Sequence, residues 1–459
     1  MARMSACRGI ATATRLRGYL NRGSRWSHHA KPAACGPLFG AALNAFFPIY
    51  VVALVLAVTV LILALSQIDA IRFAHSVRPT APVRFLGGSL VFIAIGLASA
   101  WIAMGDRRKM ALLVLGVLVA VSVALFVIRG ATPKIDARRH PNSVAVLEQV
   151  PVNDTRQWVL IRSEDATNPV VLFVHGGPGT SWLTLMRKNT QPLEKHFTVV
   201  NWDQRRAAKS FAAGRDDAGM TMGQFVSDVI DLSAYLARRF DQKKILLVGH
   251  SWGSAIGLLA VSRAPDLFSA YLGIGQVSSM AEGERISYEW TLEQARKAMD
   301  HASVKKLTQI GPPPYRGANW RSKYMTERRI LGKHGGEYFG SKSGAFAVVL
   351  KNLVFSREYT MLDRINFFRG VFQSVTALYP ELSRTDLFVE VPEVKIPVYF
   401  CLGRHDYEVP SVLAAQYFEM LQAPRKRLVW FESSAHLPNT EEKDKFNAFM
   451  INTVLPALT

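Results

Sequence analysis

Cysteine is scarce in this chain of 459 residues, which carries three, Cys7, Cys35 and Cys401. So few thiols cannot build the disulfide framework of a small secreted protein. Cys401 falls in a predicted strand, where a buried structural thiol is the default. Disorder is excluded as well, because 49% of the residues are hydrophobic.

Charge is absent from three long apolar runs, Ala45 to Ser66, Phe85 to Met104 and Met110 to Ile128, none of which contains Asp, Glu, Lys, Arg or His. Each run has about 20 residues, which is enough to cross the ~30 Å hydrocarbon core of a bilayer as a helix. A buried core helix would be shorter or would carry a polar stripe. The sequence therefore predicts three transmembrane helices.

Acidic residues are rare in the same part of the chain. Residues 1–140 hold 17 Lys and Arg but only Asp69, Asp106 and Asp136, so most of the net charge of +20 lies there. The acid-free segment 1–44 and the basic loop 106–109 favour the cytoplasmic side. Three spans would then place the rest of the chain outside the cytoplasm. We therefore expect an integral membrane protein with a cytoplasmic N-terminus and an extracytoplasmic catalytic domain.

The basic N-terminal segment has other interpretations. Its Arg-rich, acid-free composition also resembles an organellar transit peptide. A cleavable secretory signal fits less well, because the first apolar run begins late and is too long. A nucleic-acid partner is not expected, since the charges flank apolar runs and no nucleic-acid motif is present.

After a polar linker at 129–143, short β-branched segments alternate with amphipathic helices, which predicts an α/β fold with a mostly parallel sheet. The predicted strands are Ser143–Val150, Gln157–Arg162, Val170–Val174, Thr198–Asn201, Ile245–Val248, Ala270–Ile274, Val398–Cys401 and Arg427–Phe431. Helices are expected between them, at Met222–Arg239 and Ser254–Ser262 for example. The predicted core comprises residues 144–277 and 387–459.

The stretch 278–386 departs from this alternation and is mainly helical. Its predicted helices are Glu284–Met299, Ser322–Leu331, Gly344–Phe355 and Asp363–Tyr379. Because it stands between two predicted strands, we expect a helical cap over the carboxyl edge of the sheet.

The strongest chemical signal is Gly-His-Ser-Trp-Gly at 249–253, between a predicted strand and a predicted helix. This is the setting of a nucleophile elbow, in which glycines allow a strained turn that exposes the serine. Ser251 is therefore the predicted nucleophile. The helix dipole at this turn would favour developing negative charge.

The second signal is the sequence His-Gly-Gly-Pro-Gly at 175–179, directly after strand Val170–Val174. Acyl transfer passes through an oxyanion that needs two fixed hydrogen-bond donors. Gly177 and Trp252, the residue after the nucleophile, are predicted to supply these backbone N–H groups.

The remaining triad members should follow in the order acid, then histidine. Asp406 comes just after one predicted strand and His436 just after the last, so they are the predicted acid and base. Glu408 is the alternative acid, because strand ends are uncertain by a few residues. His250 and His405 are expected to be structural.

These motifs, together with Asp-Gln-Arg at 203–205, resemble the proline iminopeptidase branch of the α/β-hydrolases over residues 145–455. The resemblance implies the same triad on Ser251, Asp406 and His436. The related epoxide hydrolases and haloalkane dehalogenases use an aspartate nucleophile, so Ser251 argues against both. The family commonly continues Asp-Gln-Arg with Gly-x-Gly, whereas Arg-Ala-Ala stands at 206–208 here.

An aminopeptidase must hold a cationic amine, which calls for carboxylates in the cap. Glu282, Glu284, Glu289 and Glu293 are available on one predicted helix, where a solvated helix face is the alternative explanation.

We expect a serine hydrolase that forms an acyl-enzyme without a metal or organic cofactor. Removal of N-terminal residues, such as proline, from short peptides is the first hypothesis. An esterase or lipase acting near the bilayer is the second, and a receptor or scaffold that keeps the fold only for binding is the third. The expected partners are a peptide or ester and, through the three spans, a lipid bilayer; the sequence leaves the oligomeric state open.

Overall fold

The computed structural model describes residues 130–211, 219–340 and 344–458. The basic segment 1–44 and the three predicted spans, at 45–66, 85–104 and 110–128, lie outside these residues. Within the described ranges, no helix has both the length and the hydrophobicity needed to cross a membrane.

Eight strands form one sheet in the order β1-β2-β4-β3-β5-β6-β7-β8. The strands β1 and β2 pair antiparallel, β2 pairs antiparallel with β4, and all remaining neighbours are parallel. Their bounds are Val144–Val152, Thr155–Ser163, Val170–Val174, Thr198–Asp203, Ile245–His250, Phe268–Ile274, Val398–Gly403 and Lys426–Phe431. The predicted α/β fold with a mostly parallel sheet is confirmed.

The central strands β3, β4, β5 and β7 are buried along their whole length, as strands covered on both faces should be. Alternate residues belong to two separate cores. Leu172 and Leu247 pack in one, while Phe173 and Val248 pack in the other. Since successive side chains of a strand point to opposite faces, each face of the sheet has its own hydrophobic core.

Helices cover both faces of the sheet. Those of the α/β part are α1 (Leu183–Asn189), α2 (Met222–Arg239) and α3 (Trp252–Arg263) before the insertion, and α9 (Leu387–Glu390), α10 (Ser411–Met420), α11 (Pro438–Glu441) and α12 (Lys443–Phe449) after it. Phe225 of α2 packs in the first core with Ile256 of α3, whereas Met186 of α1 and Phe446 of α12 pack in the second.

Between residues 279 and 386, the described part of the chain forms five helices, α4 (Met280–Lys297), α5 (His301–Ile310), α6 (Trp320–Lys333), α7 (Gly344–Val354) and α8 (Met361–Leu382). The insertion leaves and rejoins the sheet part at one place, where Ser279 and Asp386 form an isolated antiparallel bridge. The N–H of Met280 donates to the carbonyl of Thr385 at 2.9 Å. The helix α5 was not among the predicted helices.

Candidate active site

Ser251 stands at the turn between β5 and α3, with φ of 52° and ψ of −124°. This left-handed conformation is strained for a residue with a side chain. The turn is possible because glycines stand two residues before and two residues after Ser251. A Cβ on Gly253 would lie 2.2 Å from the carbonyl oxygen of Val174, and one on Gly249 would lie 2.5 Å from that of Gly253. The sequence therefore specifies the elbow through two positions where no side chain fits.

Hydrogen bonds fix the backbone on each side of Ser251. Its N–H donates to the carbonyl of Ile274 in β6 at 3.0 Å, and its carbonyl accepts from Ser254 Oγ at 2.6 Å. Trp252 is the first residue of α3, so its N–H has no partner within the helix. That donor is therefore available beside Ser251, at the positive end of the helix dipole.

Asp406 and His436 are brought together across 30 residues of sequence. His436 Nδ1 lies 2.8 Å from Asp406 Oδ2, and the other carboxylate oxygen of Asp406 accepts from the N–H of Val409 at 2.9 Å. Both side chains are buried. The alternative acid Glu408 lies 3.5 Å from the guanidinium of Arg328. The histidine is therefore paired with Asp406.

The charge around His436 favours its protonated form. Burial lowers the pKa of His436, whereas the charge of Asp406 and its hydrogen bond raise it. The negative charges of Glu408 and Glu337 raise it further, so that the pKa lies above the ordinary value of 6.5. An imidazole in this setting can accept a proton and is stabilised once charged.

The predicted oxyanion loop follows β3. Gly177 has φ of 122°, a conformation that glycine alone adopts readily, and a Cβ there would lie 2.6 Å from the backbone nitrogens of Gly179 and Thr180. A Cβ on Gly176 would lie 3.0 Å from that of Ser251. The loop thus lies directly against the elbow.

Gln204 connects this loop to the elbow. Its amide nitrogen donates to the carbonyl of His175 at 2.7 Å, and its amide oxygen accepts from Trp252 Nε1 at 3.0 Å. The backbone N–H of Gln204 donates to His175 Nε2 at 3.2 Å. Burial lowers the pKa of His175 to about 4, so this ring is neutral. The Asp-Gln-Arg motif is therefore a scaffold for both predicted oxyanion donors.

The two flanking residues of that motif are tied to other elements. Arg205 forms a bidentate ion pair with Asp228 of α2, in which each of the two hydrogen bonds measures 2.9 Å. Asp203 accepts from the hydroxyl of Tyr359 at 2.9 Å and from the backbone N–H of Lys209 at 3.1 Å.

The loop that departs from the family pattern keeps a glycine-like backbone. Arg206 has φ of 63° and Ala208 has φ of 34°, at the two positions where the family commonly has glycine. Gly370 of α8 lies against it, where a Cβ would be 2.2 Å from the carbonyl oxygen of Arg206. The turn therefore persists without its glycines, and the close approach of α8 supports it.

The rings of His250 and His405 both contact other residues. His250 Nε2 lies 2.9 Å from the carbonyl oxygen of His436, and its ring packs against those of Trp182 and His436 at 3.9 and 4.6 Å between centroids. The ring of His405 stacks on Phe339 at 4.1 Å.

The predicted substrate carboxylates separate into exposed and buried groups. Glu282 and Glu289 are exposed, and both form ion pairs with Arg285 on the outer surface of α4; Glu293 pairs with Lys297. Nothing in their contacts directs these three towards Ser251. Glu284 is buried instead and accepts from the hydroxyl of Tyr379 at 2.7 Å.

The sequence did not connect Glu284 and Glu408 with Glu327 and Glu337, which together form an acidic cluster near the guanidinium of Arg328. The backbone carbonyl of Glu337 accepts from the N–H of His436 at 3.1 Å, which connects the cluster to the triad. Burial raises the pKa of Glu327 and of Glu337 to about 7. The sequence signal that could have revealed the cluster is a carboxylate on an otherwise apolar helix face, as in α6.

Within the described residues, no group of three or more His, Cys, Asp and Glu side chains could hold a metal ion.

A mostly parallel sheet with a strained serine elbow and an acid–histidine pair at its carboxyl edge is the architecture of the α/β-hydrolases. A family model described as the alpha/beta hydrolase fold matches residues 169–305. A probable aminopeptidase of Bacillus subtilis, YbaC, is 34% identical over 308 residues, which are 66% of this chain and 94% of that protein. The chain belongs to the α/β-hydrolase family, and the prediction of an enzyme of this class is confirmed.

Two further similarities are to proteins named as a proline iminopeptidase or as related to one. A proline iminopeptidase of Heyndrickxia coagulans is 23% identical over 300 residues, covering 62% of this chain and 90% of that protein. Among solved structures, a proline iminopeptidase-related protein of Thermus thermophilus superposes with a TM-score of 0.50 at 17% identity, covering 68% of this chain and 99% of that one. At 17% identity, this last similarity shows that the two proteins share a fold.

Proposed function

We propose that the protein is a serine hydrolase that forms an acyl-enzyme on Ser251. The observation that carries the proposal is the buried His436–Asp406 pair, 2.8 Å apart, on the same sheet edge as the strained serine turn. Since β5 and β7 both run parallel to β6, their carboxyl ends meet at that edge. Ser251 follows β5, and Asp406 follows β7.

In the proposed reaction, Asp406 accepts a hydrogen bond from the Nδ1–H of His436, which leaves Nε2 free to take the proton of Ser251 Oγ. The serine oxygen attacks the substrate carbonyl, and the N–H groups of Gly177 and Trp252 stabilise the oxyanion. The imidazolium then protonates the leaving amine or alcohol as its bond to carbon breaks. A water molecule, deprotonated by His436, then attacks the carbonyl of the acyl-enzyme. The bond to Ser251 Oγ breaks, the serine takes its proton back from the imidazolium, and the acid is released.

We propose N-terminal residues of short peptides as the substrate, with proline among them. The support comes from the acidic cluster. Glu327 and Glu408 lie 3.4 and 3.5 Å from the guanidinium of Arg328, and all four carboxylates of the cluster feel its charge. Above pH 7 these carboxylates carry more negative charge than this guanidinium offsets. A protonated α-amino group would supply the missing positive charge. Glu284 is the predicted cap residue that takes part. Two relatives of the chain are named as a probable aminopeptidase and a proline iminopeptidase, which points the same way.

The test compares hydrolysis of a proline arylamide with that of a short-chain nitrophenyl ester by the full chain, with Ser251→Ala as control. We expect the arylamide to be the far better substrate and the variant to be inactive on both. Preference for the ester would replace the aminopeptidase by an esterase. If a fluorophosphonate fails to label Ser251, the serine hydrolase proposal fails and a binding protein with this fold takes its place.

We also propose that the three apolar runs anchor the enzyme in a bilayer, with the catalytic part outside the cytoplasm. The support is their length and lack of charge, together with the basic flanks. Retention of the full chain in membranes after an alkaline carbonate wash tests the anchor, and protease access to sealed cells stripped of their wall tests the side.

A further inference from the structure

Exposed hydrophobic side chains are concentrated on α7 and α8. Of the fourteen large hydrophobic residues that are exposed in the described ranges, eight fall between 346 and 372. They are Phe346, Val354, Phe355, Met361, Leu362, Ile365, Phe368 and Phe372, with exposed fractions of 38% to 62%. We call these eight residues the apolar face. Large contiguous apolar patches on a protein surface mark sites of interaction.

Four of the eight residues share one side of α8. Met361, Ile365, Phe368 and Phe372 follow one another at intervals of four, three and four residues, which places them along one side of a helix. The opposite side, with Phe367 among its residues, is buried. The helix α8 therefore has an exposed apolar side as well as a buried side. On the exposed side, the guanidinium of Arg321 in α6 lies 4.5 Å from the centre of the Phe372 ring.

The charges around the face are mainly basic. Residues 344–372 contain four Lys and Arg and two acids. Both acids are already paired, Glu358 with Arg187 and Asp363 with Lys209. Lys351 and Arg369 are exposed among the apolar residues. Aromatic and aliphatic side chains interspersed with basic ones are typical of helices that lie in a membrane interface.

The chain enters the described residues beside this face. A Cβ on Gly130 would lie 1.8 Å from the carbonyl oxygen of Glu358, and the N–H of Ala131 donates to the carbonyl of Arg357 at 3.0 Å. Both contacts fall in the loop between α7 and α8. The last apolar run ends at Ile128. Two residues span at most about 7 Å, so a bilayer that held this run would lie beside the apolar face.

We propose that the apolar face of α7 and α8 docks on the lipid bilayer, with Phe355, Phe368 and Phe372 inserted among the acyl chains and Lys351 and Arg369 at the headgroups. This inference rests in part on the proposed anchor. Because α8 packs through Gly370 on the loop at Arg206, lipid contact with α8 would also hold this loop in place. The partner is a lipid surface with anionic headgroups.

The test uses the full chain in vesicles of phosphatidylcholine and phosphatidylglycerol, some containing lipids with a nitroxide on the acyl chain. In a Cys7→Ser, Cys35→Ser background, the fully buried Cys401 stays unlabelled. An environment-sensitive fluorophore is attached after Phe355→Cys or Phe368→Cys. The control is Met420→Cys, an exposed apolar position at the end of α10. Fluorophosphonate labelling of Ser251 checks that each variant is folded.

We expect the nitroxide lipids to quench the labels at 355 and 368 at least about threefold more than the label at 420. Equal quenching at all three positions would overturn the proposal. So would quenching that follows the protein-to-lipid ratio without nitroxide, since it would assign the face to a second copy of the chain. A carbonate wash of the same vesicles tests the anchor separately. If the wash removes the chain although the label at 355 is quenched, the face docks but the chain does not span. If the wash leaves the chain in the vesicles although the label is not quenched, the chain spans but the face does not dock.

Discussion

His436 is held in one tautomer by a single carboxylate. Asp406 accepts at Nδ1, and the elbow places Ser251 on the same sheet edge. A neutral amide at position 406 would donate its own N–H and favour the wrong tautomer. Glu408 cannot substitute, because it faces the guanidinium of Arg328.

We therefore expect Asp406→Asn to lower kcat for both peptide and ester by about 10³- to 10⁴-fold. Glu408→Gln should lower kcat for the ester by less than about tenfold. Steady-state kinetics on the two substrates measures both. A larger loss from the Glu408 change would make Glu408 the acid of the triad.

The pH profile gives a second measure of the same pair. His436 must be neutral to take the serine proton, so kcat/KM is lost as pH falls through its pKa, which lies above 6.5 in the folded enzyme. Asp406→Asn removes the charge that raises this pKa. The acidic limb of the residual activity should therefore move to lower pH, whereas a purely structural role would leave it in place.

At the scale of elements, close backbone contacts decide where helices can lie. Gly370 lets α8 approach the loop at Arg206 to a distance that leaves no room for a Cβ. At Gly223, near the start of α2, an added Cβ would lie in open space, with no atom within 4 Å. The two helical glycines thus form a matched pair that differs in packing.

We expect Gly370→Ala to lower the free energy of unfolding by about 1–3 kcal/mol, because the methyl group must displace the loop or the helix. Gly223→Ala should raise it by about 0.5–1 kcal/mol through helix propensity. Denaturant unfolding followed by far-ultraviolet circular dichroism measures both. A Gly370 variant as stable as the wild type would show that α8 is not held against the loop.

At the scale of the molecule, the acidic cluster is assembled from distant parts of the chain. Glu284 lies on α4, Glu327 on α6, Glu337 after α6 and Glu408 after β7. Burial raises the pKa of Glu327 and Glu337 to about 7, so the cluster loses negative charge as pH falls below that value. A cationic substrate would offset the cost of keeping these groups ionised.

We expect Glu284→Gln to raise KM for a peptide substrate at least about tenfold while leaving KM for a neutral ester within about twofold, since only the peptide carries an amine. The control is Glu282→Gln, two residues away on the exposed side of α4, which should change neither value. For the wild type, KM for the peptide should also rise as pH falls below about 7, and KM for the ester should not. Equal effects on both substrates would remove Glu284 from amine binding.

Sequence patterns alone located all eight strands to within a few residues. Buried parallel strands are short apolar segments, and their flanking glycines and polar loops delimit them well. The elbow at Ser251 and the loop at Gly177 were equally visible, because glycines are needed wherever a side chain would collide with backbone. The helix α5 was missed, since a ten-residue helix that begins at an Asp300 cap gives few periodic positions.

Only the tertiary structure distinguished among residues of the same type. It paired His436 with Asp406 and not Glu408, and it placed Glu282 and Glu289 in solvent but Glu284 in a buried cluster. Which face of a helix becomes buried depends on the elements that pack against it, and these come from distant parts of the chain. The sequence therefore determined the strands, the elbow and the candidate nucleophile, because local sterics dictate them, whereas the fold alone decided which carboxylates surround the site.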